Sequence, residues 1–284
     1  MPTQSLDHLI LFVPADPTTN LPLVPPIFTQ NFTLTPGGFH ADGATSNVLI
    51  LLADGCYIEL ISFITPSLAP AHWWGPSATF TGWKDWCLTN ALAPGENAAA
   101  VRGSHAEPVF GGRKRADGVD VKWAVTFPGG EKGGQAGRGR VPFFCHDVTE
   151  RGVRVPLSEE KAAHASGVLG VRGLTVLVRD QGLLEETRGV YRGLFGEEGV
   201  EKDGQVTFTV GRVQDVESLE GGARIRLRVA RGEEEGRKVE EKGYWFGDVV
   251  FGAKAREGKA VGEIERLDDA EGENSLGGLL IEYV

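Results

Sequence analysis

No lysine or arginine occurs in the chain before Lys84, although Asp7, Asp16, Asp42, Asp54 and Glu59 all do. Unless that scarcity is chance, a segment of acids and histidines without cations suits a divalent metal better than an anionic substrate. Cysteine is also scarce. Cys56, Cys87 and Cys145 are odd in number and widely spaced, so they form neither a disulfide framework nor a paired metal motif and read as reduced thiols. Long apolar runs are missing: no window approaches the roughly 18 residues of a membrane span. The start Met1-Pro2-Thr3-Gln4-Ser5 carries no basic residue of a signal peptide, so a cytoplasmic location is expected. A net charge of −10 over 284 residues argues against nucleic acid. The expected partner is a small molecule, bound by a monomer or homodimer away from any membrane.

What is present begins with a histidine and a carboxylate inside apolar strands. His8 sits in a strand over residues 6–13, with Ile10 and Phe12 on its face and Leu9, Leu11 and Val13 on the other. Glu59 sits in the second of two runs, residues 48–61, split by the turn Asp54-Gly55. A buried charge must be paired, hydrogen-bonded or bound to a metal; hydrogen bonding of His8 to backbone or to Glu59 would satisfy both. Four prolines between Pro17 and Pro26 delay any helix until after the last of them. Residues 32–35 read as a short strand stopped by Pro36-Gly37-Gly38, followed by a polar loop to Asn47.

Residues 66–98 hold four of the six tryptophans, Trp73, Trp74, Trp83 and Trp86. They make either a local core or an aromatic wall over a pocket. Strands are expected over residues 119–127 and 141–147, the second ending in His146, which could act as a base. A flexible glycine-rich loop lies between them. Beyond His164 come a strand at 171–178, an amphipathic helix at 182–195, and strands at 206–210, 223–230 and 279–284. The 223–230 strand sets Arg224, Arg226 and Arg228 on one face. Residues 231–274, with eight basic and thirteen acidic side chains, read as a solvated insertion, partly disordered.

The chain repeats itself. Residues 6–13 align with 171–178 and residues 55–60 with 278–283, so that Glu59 falls on Glu282 and His8 on Gly173. The phrases Leu6-Asp7-His8-Leu9-Ile10, Thr35 to His40, Thr45-Ser46-Asn47, Asp54 to Ile61, and Gly112-Arg113 through Val119 with Trp123 resemble the glyoxalase-like domain of the vicinal oxygen chelate superfamily. That resemblance implies an α+β fold of paired βαβββ modules curling around a cleft. The modules would be residues 1–65 and 166–284, joined by a connecting segment at 66–165. It also implies a divalent ion (Zn, Mn, Fe or Mg) on His8, Glu59 and Glu282, although Gly173, at the fourth position, cannot ligate. From the residues themselves, His40 would line the cleft or lie exposed on its loop, Asn47 would cap a turn or donate to a substrate carbonyl, and the four tryptophans, if not a local core, would contact the substrate. His164 is a further candidate, and Glu282, Glu59 or His146 would move a proton. The expected functions are metal-dependent lyase, isomerase or dioxygenase chemistry on a small oxygenated substrate, or metal-free binding of an aromatic or hydrophobic compound.

Overall fold

A computed structural model describes residues 3–75, 81–115, 117–129, 134–272 and 275–284; parts of the proline-punctuated segment, the glycine-rich loop and the acidic segment lie outside these. The first half is a closed barrel of eight strands in the order β1-β4-β3-β2-β6-β7-β8-β5. It is built from β1 (Ser5–Phe12), α1 (Pro26–Asn31), β2 (Thr35–His40), β3 (Thr45–Leu51) and β4 (Tyr57–Phe63), then β5 (Gly82–Thr89), α2 (Pro94–Ala100), β6 (Val109–Lys114), β7 (Asp120–Thr126) and β8 (Phe143–Asp147). Each half of that series reads strand, helix, three strands. The second module therefore starts at β5 and not at residue 166, and the expected connecting segment contains most of it.

The barrel wall obeys strand alternation. From β1, Leu9 and Leu11 face outward into the main core, while Ile10 and Phe12 face inward with Cys87, Phe143 and Cys145. Helix α1 begins with Pro26 at its first position, where a missing amide is harmless. Strand β2 runs through Pro36-Gly37-Gly38 where a stop was expected, because Gly37 is a bulge between the pairs Pro36–Val48 and Gly38–Asn47. The seam closing the barrel is short: β2 and β6 share only the pairs Phe39–Lys114 and His40–Arg113.

After α3 (Arg151–Arg154) and α4 (Glu159–Ala162) comes a second sheet. Its strands are β9 (Val168–Val178), β10 (Val200–Lys202), β11 (Gln205–Val210), β12 (Ala223–Val229), β13 (Tyr244–Ala253), β14 (Ile264–Arg266) and β15 (Leu279–Tyr283). They lie in the order β10-β11-β12-β9-β13-β15-β14. Helix α5 (Gln181–Phe195) is capped by Asp180 and ended by Gly196 in the left-handed region at φ 71°. It buries Leu184, Tyr191 and Leu194 against the sheet, and this layer shares one core with the outside of the barrel.

The acidic segment is not a solvated insertion. It supplies α6 (Gly232–Glu240) and then β13, a central strand between β9 and β15 that buries Phe246, Val249 and Phe251. No described helix is long and apolar enough to cross a membrane.

Candidate active site in the barrel

Inside the barrel lies a cavity of about 550 Å³. One wall is aromatic, from Trp73, Trp74, Trp123, Phe127 and Phe143; the other is polar, from His8, His40, Asn47 and Glu59. Both Asp7 and His8 turn inward because β1 bulges at Asp7, between the pairs Leu6–Leu88 and His8–Cys87. His8 Nδ1 lies 2.6 Å from Asp7 Oδ1, and its ring stacks on Tyr57 at 4.6 Å between centroids. Arg154 and Arg151 complete the Asp7 carboxylate: Arg154 donates from Nη1 at 2.9 Å and Nη2 at 3.0 Å, and Arg151 from Nη1 at 2.5 Å. Burial pushes the Asp7 carboxyl up, but the two guanidiniums outweigh it and hold it well below its usual range. An ionised Asp7 accepts from Nδ1–H, which leaves the His8 Nε2 lone pair facing the cavity.

Nε2 stands 3.8 Å from Glu59 Oε2. Glu59 Oε1 accepts from Asn47 Nδ2 at 2.7 Å and lies 3.4 Å from His40 Nε2, while His40 Nδ1 is 2.5 Å from Thr45 Oγ1. Burial raises the Glu59 carboxyl, yet the hydrogen bond and charge of His40, with the neighbouring His8 ring and the Asn47 amide, bring it down to about 2. A depressed carboxyl contributes stability above its unfolded value of about 4.3 and loses it as pH falls through its folded value. Glu59→Gln is therefore expected to be less stable than the native chain near neutrality, on the order of 2–3 kcal/mol. The gap should close as pH falls from about 4.3 toward 2; urea unfolding of both proteins across that range checks it, and a constant gap would refute it.

Other expected site residues lie elsewhere. Glu282 is on β15 of the second sheet, held by Arg224 at 3.2 Å and Arg172 at 3.4 Å, and is not brought to His8 and Glu59. On β8, Phe143 and Cys145 take the cavity face, so His146 faces the opposite way, with Nε2 3.2 Å from Asn90 Oδ1; burial lowers its pKa. Trp83 and Trp86 are strand residues of the core between the halves, donating to the carbonyls of Gly278 at 2.9 Å and Gly139 at 3.0 Å. Only Trp73 and Trp74 of the expected wall reach the cavity. His164 is spent on backbone, accepting from Thr33 N–H at 3.1 Å and donating to Leu51 O at 3.0 Å. The three cysteines are free and buried, as expected of reduced thiols.

The barrel's own two-fold symmetry tests the metal expectation. Strands β1 and β5 pair antiparallel about Leu9–Trp86, with a bulge at Asp7 in one and at Lys84 in the other. That symmetry carries His8 onto Asp85 and Ile10 onto Cys87; through the pairs Ile10–Glu59 and Cys87–Phe143 it carries Glu59 onto Phe143. Phe143 offers no donor atom. Both Asp85 oxygens are committed, Oδ2 to the indole N–H groups of Trp73 and Trp74 at 3.1 Å each, and Oδ1 to the amides of Trp86 and Gly139 at 3.0 and 3.1 Å. The other grouping of donor atoms, Asp7, His8 and Cys87, has a carboxylate saturated by two guanidiniums, which would face any cation placed there. The residues present do not fit a resident divalent ion of the expected kind.

The sequence matches the family model described as a glyoxalase-like domain over residues 6–195. Among curated proteins none matches. Among solved structures, a hypothetical protein from Staphylococcus aureus is 14% identical, with a TM-score of 0.63 and 99% of each chain covered. A triple mutant of 4-hydroxymandelate synthase from Streptomyces coelicolor is 13% identical, with a TM-score of 0.52 over 89% of this chain and 72% of that one. At such identities the likeness is one of fold, and it agrees with the paired βαβββ modules. By the match over two thirds of its length, the chain belongs to the glyoxalase-like domain family of the vicinal oxygen chelate superfamily.

Proposed function

We propose that the barrel cavity binds a small oxygenated molecule with an aromatic or apolar body, and that His8 exchanges a proton with it. The observation that carries this reading is the Asp7–His8–Glu59 alignment, which presents a lone pair at Nε2 beside a carboxylate. A proton taken by Nε2 makes an imidazolium stabilised by Asp7 on one side and Glu59 on the other. Asn47 and His40 hold Glu59 ionised and in place. The aromatic wall, where Trp73 stacks on Phe127 at 4.1 Å, receives the apolar body and excludes water. No step requires a metal ion, consistent with the committed oxygens of Asp85 and Asp7.

Metal-free sequestration, with no proton transfer, is the second reading, favoured by the replacement of a ligand position with Phe143. A thermal-shift screen of oxygenated aromatics, followed by NMR of hydrogen–deuterium exchange in the bound compound, separates the two. For proton transfer, ligands should raise the unfolding temperature equally with and without chelator, and His8→Ala should slow exchange by about 10²-fold or more. Stabilisation without exchange supports sequestration. If no compound stabilises the protein, or if chelator abolishes the response, the cavity reading as stated fails.

A further inference from the structure

The second sheet repeats the pairing of the barrel with its charge inverted. Strand β9 pairs with β12 as β1 pairs with β4: Gly173 lies beside Arg224 and Thr175 beside Arg226, where His8 lies beside Tyr57 and Ile10 beside Glu59. Arg226 thus holds the register position of Glu59. The bulged residue just before this pairing is Arg172 in β9, where it is Asp7 in β1. Both acids that organise the barrel site are answered by arginines.

On β12, Ala223, Ile225 and Leu227 enter the core, which sets Arg224, Arg226 and Arg228 in a row on the opposite face. Two of the three are satisfied. Glu282 takes Arg224, and Glu235 takes Arg228 through two bonds of 2.6 Å. Arg226 between them has no hydrogen-bond or ion-pair partner among the described residues, although it is half-buried. Burial and the neighbouring Arg224 push its pKa down, and Glu282 and Asp248 act on it only through space. Thr175, beside it in register and 5% exposed, likewise has a hydroxyl without a protein partner among the described residues. A half-buried cation without a direct counter-ion costs stability: Glu282 and Glu235 are engaged by the neighbouring arginines, and Asp248 makes no ion pair with Arg226.

We propose that this face is a second ligand site, distinct from the barrel cavity, which binds one oxyanion group of a small molecule, a carboxylate or a phosphate, on Arg226 and Thr175. The guanidinium presents a planar fork that matches two oxygens of such a group, and the threonine hydroxyl supplies a further donor. Arg172 and Arg224 share the single carboxylate of Glu282, so the acids of this face do not neutralise its arginines, on a chain that is acidic overall.

The test is calorimetric titration of the full chain, in low-chloride buffer, with inorganic phosphate and separately with acetate. Saturable one-site binding of at least one is expected, weakened at least about tenfold in Arg226→Gln, as loss of a charge-assisted pair implies. It should be unchanged in Arg188→Gln, a surface control on α5. Binding of phosphate alone assigns the site to phosphate esters, of acetate alone to carboxylates, and of both to the shared oxyanion. Arg226→Gln is expected to fold with an unfolding temperature equal to or above that of the native chain. Should it not fold, Arg226→Lys, which keeps the charge and loses the fork, should still bind more weakly. Absence of saturable binding of either anion, or binding indifferent to both Arg226 variants, overturns the proposal.

Discussion

Replacing Arg154 with methionine is expected to cost about 3–5 kcal/mol of folding stability, the range for removing one partner of a buried ion pair. Arg154 is 3% exposed and donates to both oxygens of Asp7, to both oxygens of Asp147 at 2.5 and 2.9 Å, and to Tyr57 Oη at 2.8 Å. Asp7 is fully buried, so without Arg154 its one remaining counter-ion is Arg151, which is itself partly exposed, beside the His8 hydrogen bond. Loss of packing adds to this, since the guanidinium also lies over the Tyr57 ring, 5.6 Å from its centroid. Urea unfolding at neutral pH measures the loss. Combining Arg154→Met with Asp7→Asn should recover much of it, because the second change removes the stranded charge. A single-mutant cost below about 1 kcal/mol would mean that the network does not hold the barrel as described.

Gly37→Ala is expected to destabilise the protein by about 2–3 kcal/mol, the upper range of overpacking, and to disable the cavity as well. A β-carbon there would stand 2.0 Å from Asn47 Oδ1 and 2.5 Å from the Asn47 carbonyl. The second contact is backbone, so β2 must part from β3, and Asn47 can no longer reach Glu59. Gly95→Ala in α2, where a β-carbon meets nothing within 4 Å, is the control and should be neutral or slightly stabilising. Unfolding temperature with and without a cavity ligand reads both effects. Native-like stability in Gly37→Ala would refute the close approach.

Much of the fold could be read from the chain because apolar runs and helix caps are local signals. Strands β1, β3, β4 and β9 and helix α5 follow from them, as does the βαβββ repeat. Strand β5 was hidden because Lys84 and Asp85 interrupt its alternation: Lys84 is the bulge and Asp85 is buried by indole and amide donors. Without β5 the chain reads as if its second module began at residue 166, which sets Glu282 in the place that Phe143 holds opposite Glu59. Strand β13 was hidden by averaging charge over a long segment that contains an apolar core strand. In the site, His8 and Glu59 stood out because polar residues in apolar strands demand partners, and His40 and Asn47 followed from the family resemblance. Asp7 was not legible, since alternation places it on the face opposite His8 and only a bulge reverses that. Nor was Arg154, which reaches Asp7 from 147 residues away.

The brevity of the β2–β6 seam has a kinetic consequence. Strands β3 and β4 are joined over seven residue pairs, β2 and β6 over two. Backbone amides exchange with solvent through the smallest opening that frees them. That of Ala41, donated across the seam to the Gly112 carbonyl at 2.9 Å, needs only the seam to part, whereas those of β3 and β4 wait on a far larger unfolding. A closed barrel in the static structure is thus, over time, a sheet that parts along its shortest seams, β5–β8 with two pairs of its own and the line between β2 and β6. That line runs past His40, at the wall of the cavity.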